Sequence, residues 1–258
     1  MYANYHTHTF RCGHATGTDE AFIKAAIDCG LMELGFSDHA PFRFPNGRET
    51  GNRIPTSMAE DYIFSLKALK EKYKNKIRIH IGFEMEYYPL YFEEMYSYTK
   101  ALGAEYFILG QHFIKNEIPD LIDSNEHGHT AEQLSEYTKN IIGGIRTGKF
   151  LYVAHPDFFR FEADDALYSE EMTKICIEAK NADIPLELNL HNICQNPHFS
   201  GPIFLEAAAK IGNRIIFGMD AHAPHEVFVE ASLNKGMYLV QKYHLNLIDR
   251  LDIHINSL

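Results

Sequence analysis

The sequence predicts a parallel α/β barrel, and three observations carry that prediction. Seven short β-rich runs alternate with amphipathic stretches at helical spacing. Strand–helix alternation implies parallel pairing, with the helices as crossovers. Each run is also followed by polar or metal-capable side chains, which a parallel barrel gathers on one face. A length of 258 residues without a break in composition predicts one barrel domain over residues 1–258.

The predicted strands are 2–5, 32–36, 77–83, 106–109, 151–154, 185–190 and 214–218. Thr18 is placed to cap a helix running to about Cys29. Residues 57–74 put Leu66, Leu69 and Tyr73 on one helical face. Thr130 starts a further helix, and Gly148 follows its end as a stop signal. Helices are expected again over 169–180, 204–211 and 225–242. Residues 41–55, rich in Pro, Gly, Asn and Arg, read as a long loop over one face.

Composition narrows the function. A formal net charge of -11 opposes a nucleic-acid surface, which needs clustered Lys and Arg. Bound divalent cations would offset part of it. No apolar run is long enough to span a bilayer, and the first ten residues hold two histidines and no apolar h-region. No membrane partner and a cytoplasmic location are therefore expected. Cys12, Cys29, Cys176 and Cys194 form no CxxC pair; they are expected to be buried thiols rather than disulfides or a zinc site. Fifteen histidines stand without a tryptophan, and imidazole is a common transition-metal ligand.

Position separates these histidines. The strand ends carry His6 and His8, then Asp38-His39, then Glu84 and Glu86. Further along come Gln111-His112, His155-Pro156-Asp157, Asn189 with His191 and Asn192, and finally Asp220 with His222. Residues two apart on a strand share a face, so His6/His8 and Asp220/His222 can each reach one metal. His14, just past an Arg11-Cys12-Gly13 turn, joins them as a candidate. One of Glu84 and Glu86 is suited to bridge two metals, and the other to support or be solvated. Asp38 and Asp157 are candidates to orient ligating imidazoles. Arg160 is a candidate phosphate grip, against the plainer reading of a surface pair with Glu162. His80 is expected on the outer barrel face, and His127, His129, His225, His244 and His254 in solvent; His198 stays open.

With those residues set out, the chain resembles the polymerase-and-histidinol-phosphatase (PHP) family, in its histidinol-phosphatase branch. The resemblance rests on HTHTFRCGHATG, GFSDHAPF, GFEMEYYP, ILGQHFI, YVAHPDFFRF and FGMDAHAP, in that order from residue 6 to residue 225. It implies a distorted seven-stranded (β/α) barrel, resembling a TIM barrel, with up to three divalent ions; mixed His and carboxylate ligation suits Zn, Mn or Fe. It further implies His6, His8 and Asp220 on one metal, and Glu84 bridging to a second held by His112 and His155. His14, His39 and His222 would hold a third. The branch usually follows its sixth strand with a glycine turn and a basic residue. Here 190–195 read LHNICQ, with no Lys or Arg before Lys210. That leaves His191 as a possible substrate contact and the Arg43–Arg53 loop as another source of positive charge.

The implied activity is metal-dependent hydrolysis of a phosphomonoester. L-histidinol phosphate, from histidine biosynthesis, is the expected small phosphorylated substrate. Two alternatives stay open: a phosphoesterase of another substrate, including a nucleotide or nucleic-acid phosphodiester, and a non-catalytic metal-binding module.

Overall fold

The computed structural model describes residues 1–117, 121–195 and 201–253. Its strands form two parallel sheets. The first pairs β1 (Ala3–Asn4), β2 (Glu33–His39), β3 (Arg78–Met85) and β4 (Tyr106–Leu109) in chain order. The second pairs β5 (Leu186–Asn189), β6 (Arg214–Gly218) and β7 (Asn246–Leu247). Helices α1 (Asp19–Asp28), α2 (Ala59–Tyr73), α3 (Phe92–Leu102) and α4 (Ala131–Arg146) follow β1 to β4 in turn. Helix α5 (Asp165–Asn181) leads into β5. Helices α6 (Asn192–Gln195) and α7 (Pro202–Ile211) join β5 to β6, and α8 (Glu230–Tyr243) joins β6 to β7.

The expected uninterrupted run of seven strands is here a curled parallel sheet in two pieces. The 151–154 run contributes isolated bridges rather than a ladder: Val153 pairs with Leu109 on one side and with Leu186 on the other. It still bonds both neighbours, through Leu151 N–H to Phe107 O (2.7 Å) and Glu187 N–H to Val153 O (2.9 Å). Extension stops there because His155 turns to φ 29°, outside the β region. Thr7 and Ala221 form a further bridge between the two pieces. The third strand of the second sheet, β7, was not expected from the sequence.

Helix boundaries follow their caps. Thr18 accepts the Ala21 N–H, and Thr130 forms a capping box with Gln133. Helix α5 begins before the predicted 169 because Asp164 accepts the N–H groups of Ala166 and Leu167. Helix α3, absent from the sequence reading, carries Glu93 and Glu94 in its first turn and stops at Gly103, φ 111°.

Strand periodicity sorts the core. Along β3, Ile79, Ile81, Phe83 and Met85 pack with helix residues such as Phe22 and Leu66. His80, Gly82 and Glu84 therefore share the opposite face. His80 is thus not on the outer face: its ring lies 6.0 Å from that of Tyr5, and Nε2 lies 3.3 Å from Glu33. Tyr5 joins Tyr106, Ile108, Tyr152 and Ile216 in a smaller inner cluster. His129 is also buried, 4.5 Å from the ring of Phe159, whereas His127, His225 and His244 are exposed. All four thiols are free, but Cys29 and Cys194 are exposed, so only Cys12 and Cys176 fit the expected burial. His198 and His254 lie outside the described residues. No helix among the described residues is long and apolar enough to cross a membrane.

Candidate metal centre

The strand ends deliver their side chains to one cavity of about 400 Å³. Its lining includes His14, His39, Glu84, Glu86, His112, His155, His191, Asn192, Asp220 and His222, with Phe113, Phe158 and Asp123 at the sides. Glu84 stands at the centre of the ligand cluster. Its Oε1 lies 2.9 Å from His155 Nε2 and 3.4 Å from His112 Nε2. Its Oε2 lies 3.4 Å from His6 Nε2, 3.5 Å from His8 Nε2 and 3.3 Å from His39 Nδ1. One carboxylate thus faces two sets of imidazoles, the disposition a bridging ligand requires. Asp220 Oδ1 lies 3.0 Å from His8 Nε2 and 3.4 Å from His6 Nε2.

Local backbone makes this approach possible. A β-carbon at Gly110 would collide with the Glu84 carboxylate, and one at Gly218 with that of Glu187. His155 and Asp220 have φ of 29° and 48°, a conformation costly for residues with a β-carbon and found at functional sites.

Nδ1 partners orient several of these rings. His6 donates from Nδ1 to Glu187 Oε1 (2.8 Å), His112 to Glu86 Oε1 (2.9 Å) and His222 to the Asp220 carbonyl (2.9 Å). His8 turns Nδ1 to Asp38 Oδ1 at 3.4 Å, and that carboxylate is itself fixed by Thr9 N–H and His39 N–H. In the neutral ring each such bond places the Nδ1 proton and leaves Nε2 as a lone-pair donor. His6 Nε2, His8 Nε2, Glu84 Oε2 and His155 Nδ1 are buried with no hydrogen-bond partner. Buried polar atoms are rarely left so, and nitrogen and carboxylate donors are the atoms a divalent transition metal takes. The side chains present fit such ions. Groups able to hold one include His6–His8–Glu84, His39–Glu84–His112, His6–His155–Asp220 and His8–His39–His222.

Electrostatics within the cluster are uneven. Burial opposes protonation of His6, but Asp220, Glu187 and Glu84 outweigh it and raise its pKa. Burial likewise opposes protonation of His112, yet Glu84 and Glu86 bring it up to about 9. His222 is pushed down to about 4, first by burial and then by His8. Glu84 and Asp220 resist the upward push of burial because imidazolium groups surround them, and both stay well below the usual carboxylate range. Protons thus occupy part of the place a cation would take.

The remaining sequence candidates separate. His14 lines the cavity, its ring 5.0 Å from that of His222 and 5.2 Å from that of His39. His8 joins His39 and His222 in one group able to hold an ion; His14 turns Nδ1 to the Cys12 carbonyl. His191 lies at the rim, 5.9 Å from His222 ring to ring. Arg160 pairs with Glu162 at 3.3 Å, and the described residues lining the cavity do not include it. Asp157 is buried where its charge acts on Tyr137, Tyr168 and Cys176. In the loop considered as a source of positive charge, Arg43 is exposed and paired with Glu49, while Arg53 is buried against Glu86 and Glu117.

Sequence reasoning missed Glu187 and Glu117. Glu187 accepts the His6 ring N–H, the His155 backbone N–H at 3.0 Å and the Asn189 amide at 3.0 Å. The available signal was a glutamate two residues before Asn189 in an otherwise apolar strand. Glu117 sits in a loop and had no local signal.

The PHP domain model matches residues 4–191. A probable histidinol-phosphatase of Deinococcus radiodurans is 25% identical over 86% of this chain and 86% of its own length. The histidinol-phosphatase of Bacillus subtilis is 22% identical over 86% of this chain and 94% of its own. In three dimensions the chain is similar to histidinol phosphate phosphatase from Lactococcus lactis, solved with Zn, L-histidinol and phosphate. That match has a TM-score of 0.74 at 20% identity, covering 96% of this chain and 95% of the other.

Proposed function

The chain belongs to the PHP family, and from that premise we propose that it is a metal-dependent phosphomonoesterase converting L-histidinol phosphate and water to L-histidinol and phosphate. The observation that carries the reading is the set of buried, unpartnered donor atoms on His6, His8, Glu84 and His155 beside an open cavity. The relatives named for this activity match along most of the chain. Three divalent ions, Zn, Mn or Fe, are assigned to His6, His8, His14, His39, Glu84, His112, His155, Asp220 and His222. Bound there, such ions supply Lewis-acid stabilisation of a phosphoryl group and lower the pKa of water.

The chain's own residues do the rest. Glu187, Glu86 and Asp38 hold the His6, His112 and His8 rings in place. Phe113 and Phe158 line the cavity with apolar surface and restrict water around the ester, which strengthens charge interactions inside. Asp123 and His191 are placed at the wall to meet the leaving alcohol. Arg160 retains the phosphate assignment, exchanging Glu162 for the substrate. In this reading the bridges at Val153 and Thr7 join β1 through β4, the 151–154 run, β5 and β6 into one distorted seven-stranded barrel domain, with β7 added beside β6. The enzyme would act in the cytoplasm.

The test is phosphate release by Mn- or Zn-loaded protein from L-histidinol phosphate, an aryl phosphate and a dinucleotide under one set of conditions. A clear kcat/KM preference for L-histidinol phosphate, abolished by chelator, is the expected result. Faster cleavage of the dinucleotide would replace the reading with a phosphodiesterase, and no turnover on any ester with a non-catalytic metal module.

A further inference from the structure

A guanidinium buried beside a centre meant for cations needs an explanation. Arg53 is only 2% exposed, and four of its contacts are hydrogen bonds to different partners. Nη1 donates to the Ala40 carbonyl at 2.8 Å, and Nε to Thr50 Oγ1 at 3.3 Å. Nη2 donates to Glu86 Oε2 at 3.0 Å and also to Glu117 Oε1. Glu117 is fully buried, holds φ 58°, and accepts the Tyr88 hydroxyl at 2.6 Å and the Thr50 hydroxyl at 2.6 Å. A non-glycine residue in that backbone region persists only where its surroundings hold it there. The ion group thus fastens the 41–55 loop to the segment carrying Glu117.

The same group reaches two ligands. Glu86 accepts from Arg53 with Oε2 and from His112 Nδ1 with Oε1. Arg53 also fixes Ala40, the residue after His39, while the next residue, Ile54, gives its N–H to the His39 carbonyl at 3.3 Å. Among the described residues, His39 and His112 form one of the two ion-holding groups that include Glu84; His6 and His8 form the other. His39 Nδ1 and His112 Nε2 lie 3.3 and 3.4 Å from the two Glu84 oxygens.

We infer that Arg53, with Glu117 and Glu86, is a positioning device for one metal position, that of His39, Glu84 and His112. The inference rests on the proposed metal centre. Arg53 touches no reacting atom; it acts through Glu86 and the β2 end. Its planar fork serves Glu86, Glu117, Ala40 and Thr50 together, which a lysine ammonium cannot do. Orienting partners of metal ligands typically change affinity about 10- to 100-fold when removed. A residue that only supported the fold would not single out one ion.

The test titrates metal-free wild type, Arg53→Lys, Arg53→Met and Glu117→Gln with Mn²⁺ against a competing chelator. Bound metal is counted by mass spectrometry, and thermal melting checks folding. Both Arg53 variants are expected to bind one ion about 10- to 100-fold more weakly, with the ion of His6, His155 and Asp220, which shares no ligand with that position, at wild-type affinity. Glu117→Gln keeps the shape and is expected to weaken the same ion by less; it carries the test if the Arg53 variants do not fold. Folded variants with every ion at wild-type affinity, or with all ions lost together, overturn the inference. A wild type that binds no metal overturns the proposed centre, and this inference with it.

Discussion

Strand β3 carries two buried histidine–carboxylate groups, and they differ in one respect. Near its start, His80 meets Glu33. There Glu33 Oε2 also accepts the Tyr5 hydroxyl at 2.8 Å, and Oε1 accepts from Arg78 at 2.5 Å. Four residues on and on the same face, Glu84 meets the imidazoles of His6, His8, His39, His112 and His155. The first group is satisfied by the buried Tyr5 hydroxyl and the largely exposed Arg78, while the second leaves Glu84 Oε2, His6 Nε2 and His8 Nε2 without hydrogen-bond partners. Both groups set a buried histidine against a buried carboxylate. Several unfilled nitrogen and carboxylate atoms converging on one point are what distinguish the Glu84 group from a structural ion pair.

The sharpest way to break that comparison is to change one carboxylate at each end. Glu84→Gln is expected to lower phosphate release on the order of 10³-fold, with loss of bound metal by mass spectrometry. A smaller effect is expected of Gly110→Ala, whose added methyl runs into the Glu84 carboxylate. Metal affinity in a chelator competition should fall about 10- to 100-fold in a protein that still folds. Glu33→Gln should leave metal content and kcat/KM close to wild type. Its expected cost is about 1–3 kcal/mol of stability in a denaturant melt, because buried donors lose their charged acceptor. A Glu33 variant that lost metal, or a Glu84 variant that kept it, would erase the distinction.

The gentlest test varies pH in the metal-free protein. The His112 pKa is raised from 6.5 to about 9: burial opposes the shift, and Glu84 and Glu86 outweigh it. A raised folded-state pKa means that the His112 contribution is fully present below pH 6.5 and is lost as pH rises through about 9. Glu86→Gln should shrink the change in melting temperature over that window, and bound metal should flatten it, since a ligating imidazole carries no extra proton.

Much of this centre was legible because strand geometry writes it into the sequence. His6 and His8, two apart at a strand end, lie with their rings 5.2 Å apart, and Thr130 caps α4 with Gln133. What stayed hidden depends on neighbours far along the chain. His80 reads as an outer residue between two isoleucines, but β3 turns Ile79 and Ile81 to the helices. Glu187 looks like an interruption of an apolar strand until His6 arrives from 181 residues away. Arg53 reads as free positive charge in a loop, because nothing nearby in sequence announces Glu117. The 151–154 run has strand composition, but the turn at His155 cuts its pairing short.

The central claim is that the Glu84 cluster holds divalent ions and the Glu33 cluster does not. Anomalous diffraction from crystals soaked in Mn²⁺ or Zn²⁺ tests it most directly. The account predicts peaks on both sides of the Glu84 carboxylate, within bonding distance of the imidazoles around it, and none between Glu33 and His80. No peak beside Glu84, or one at Glu33, would contradict it.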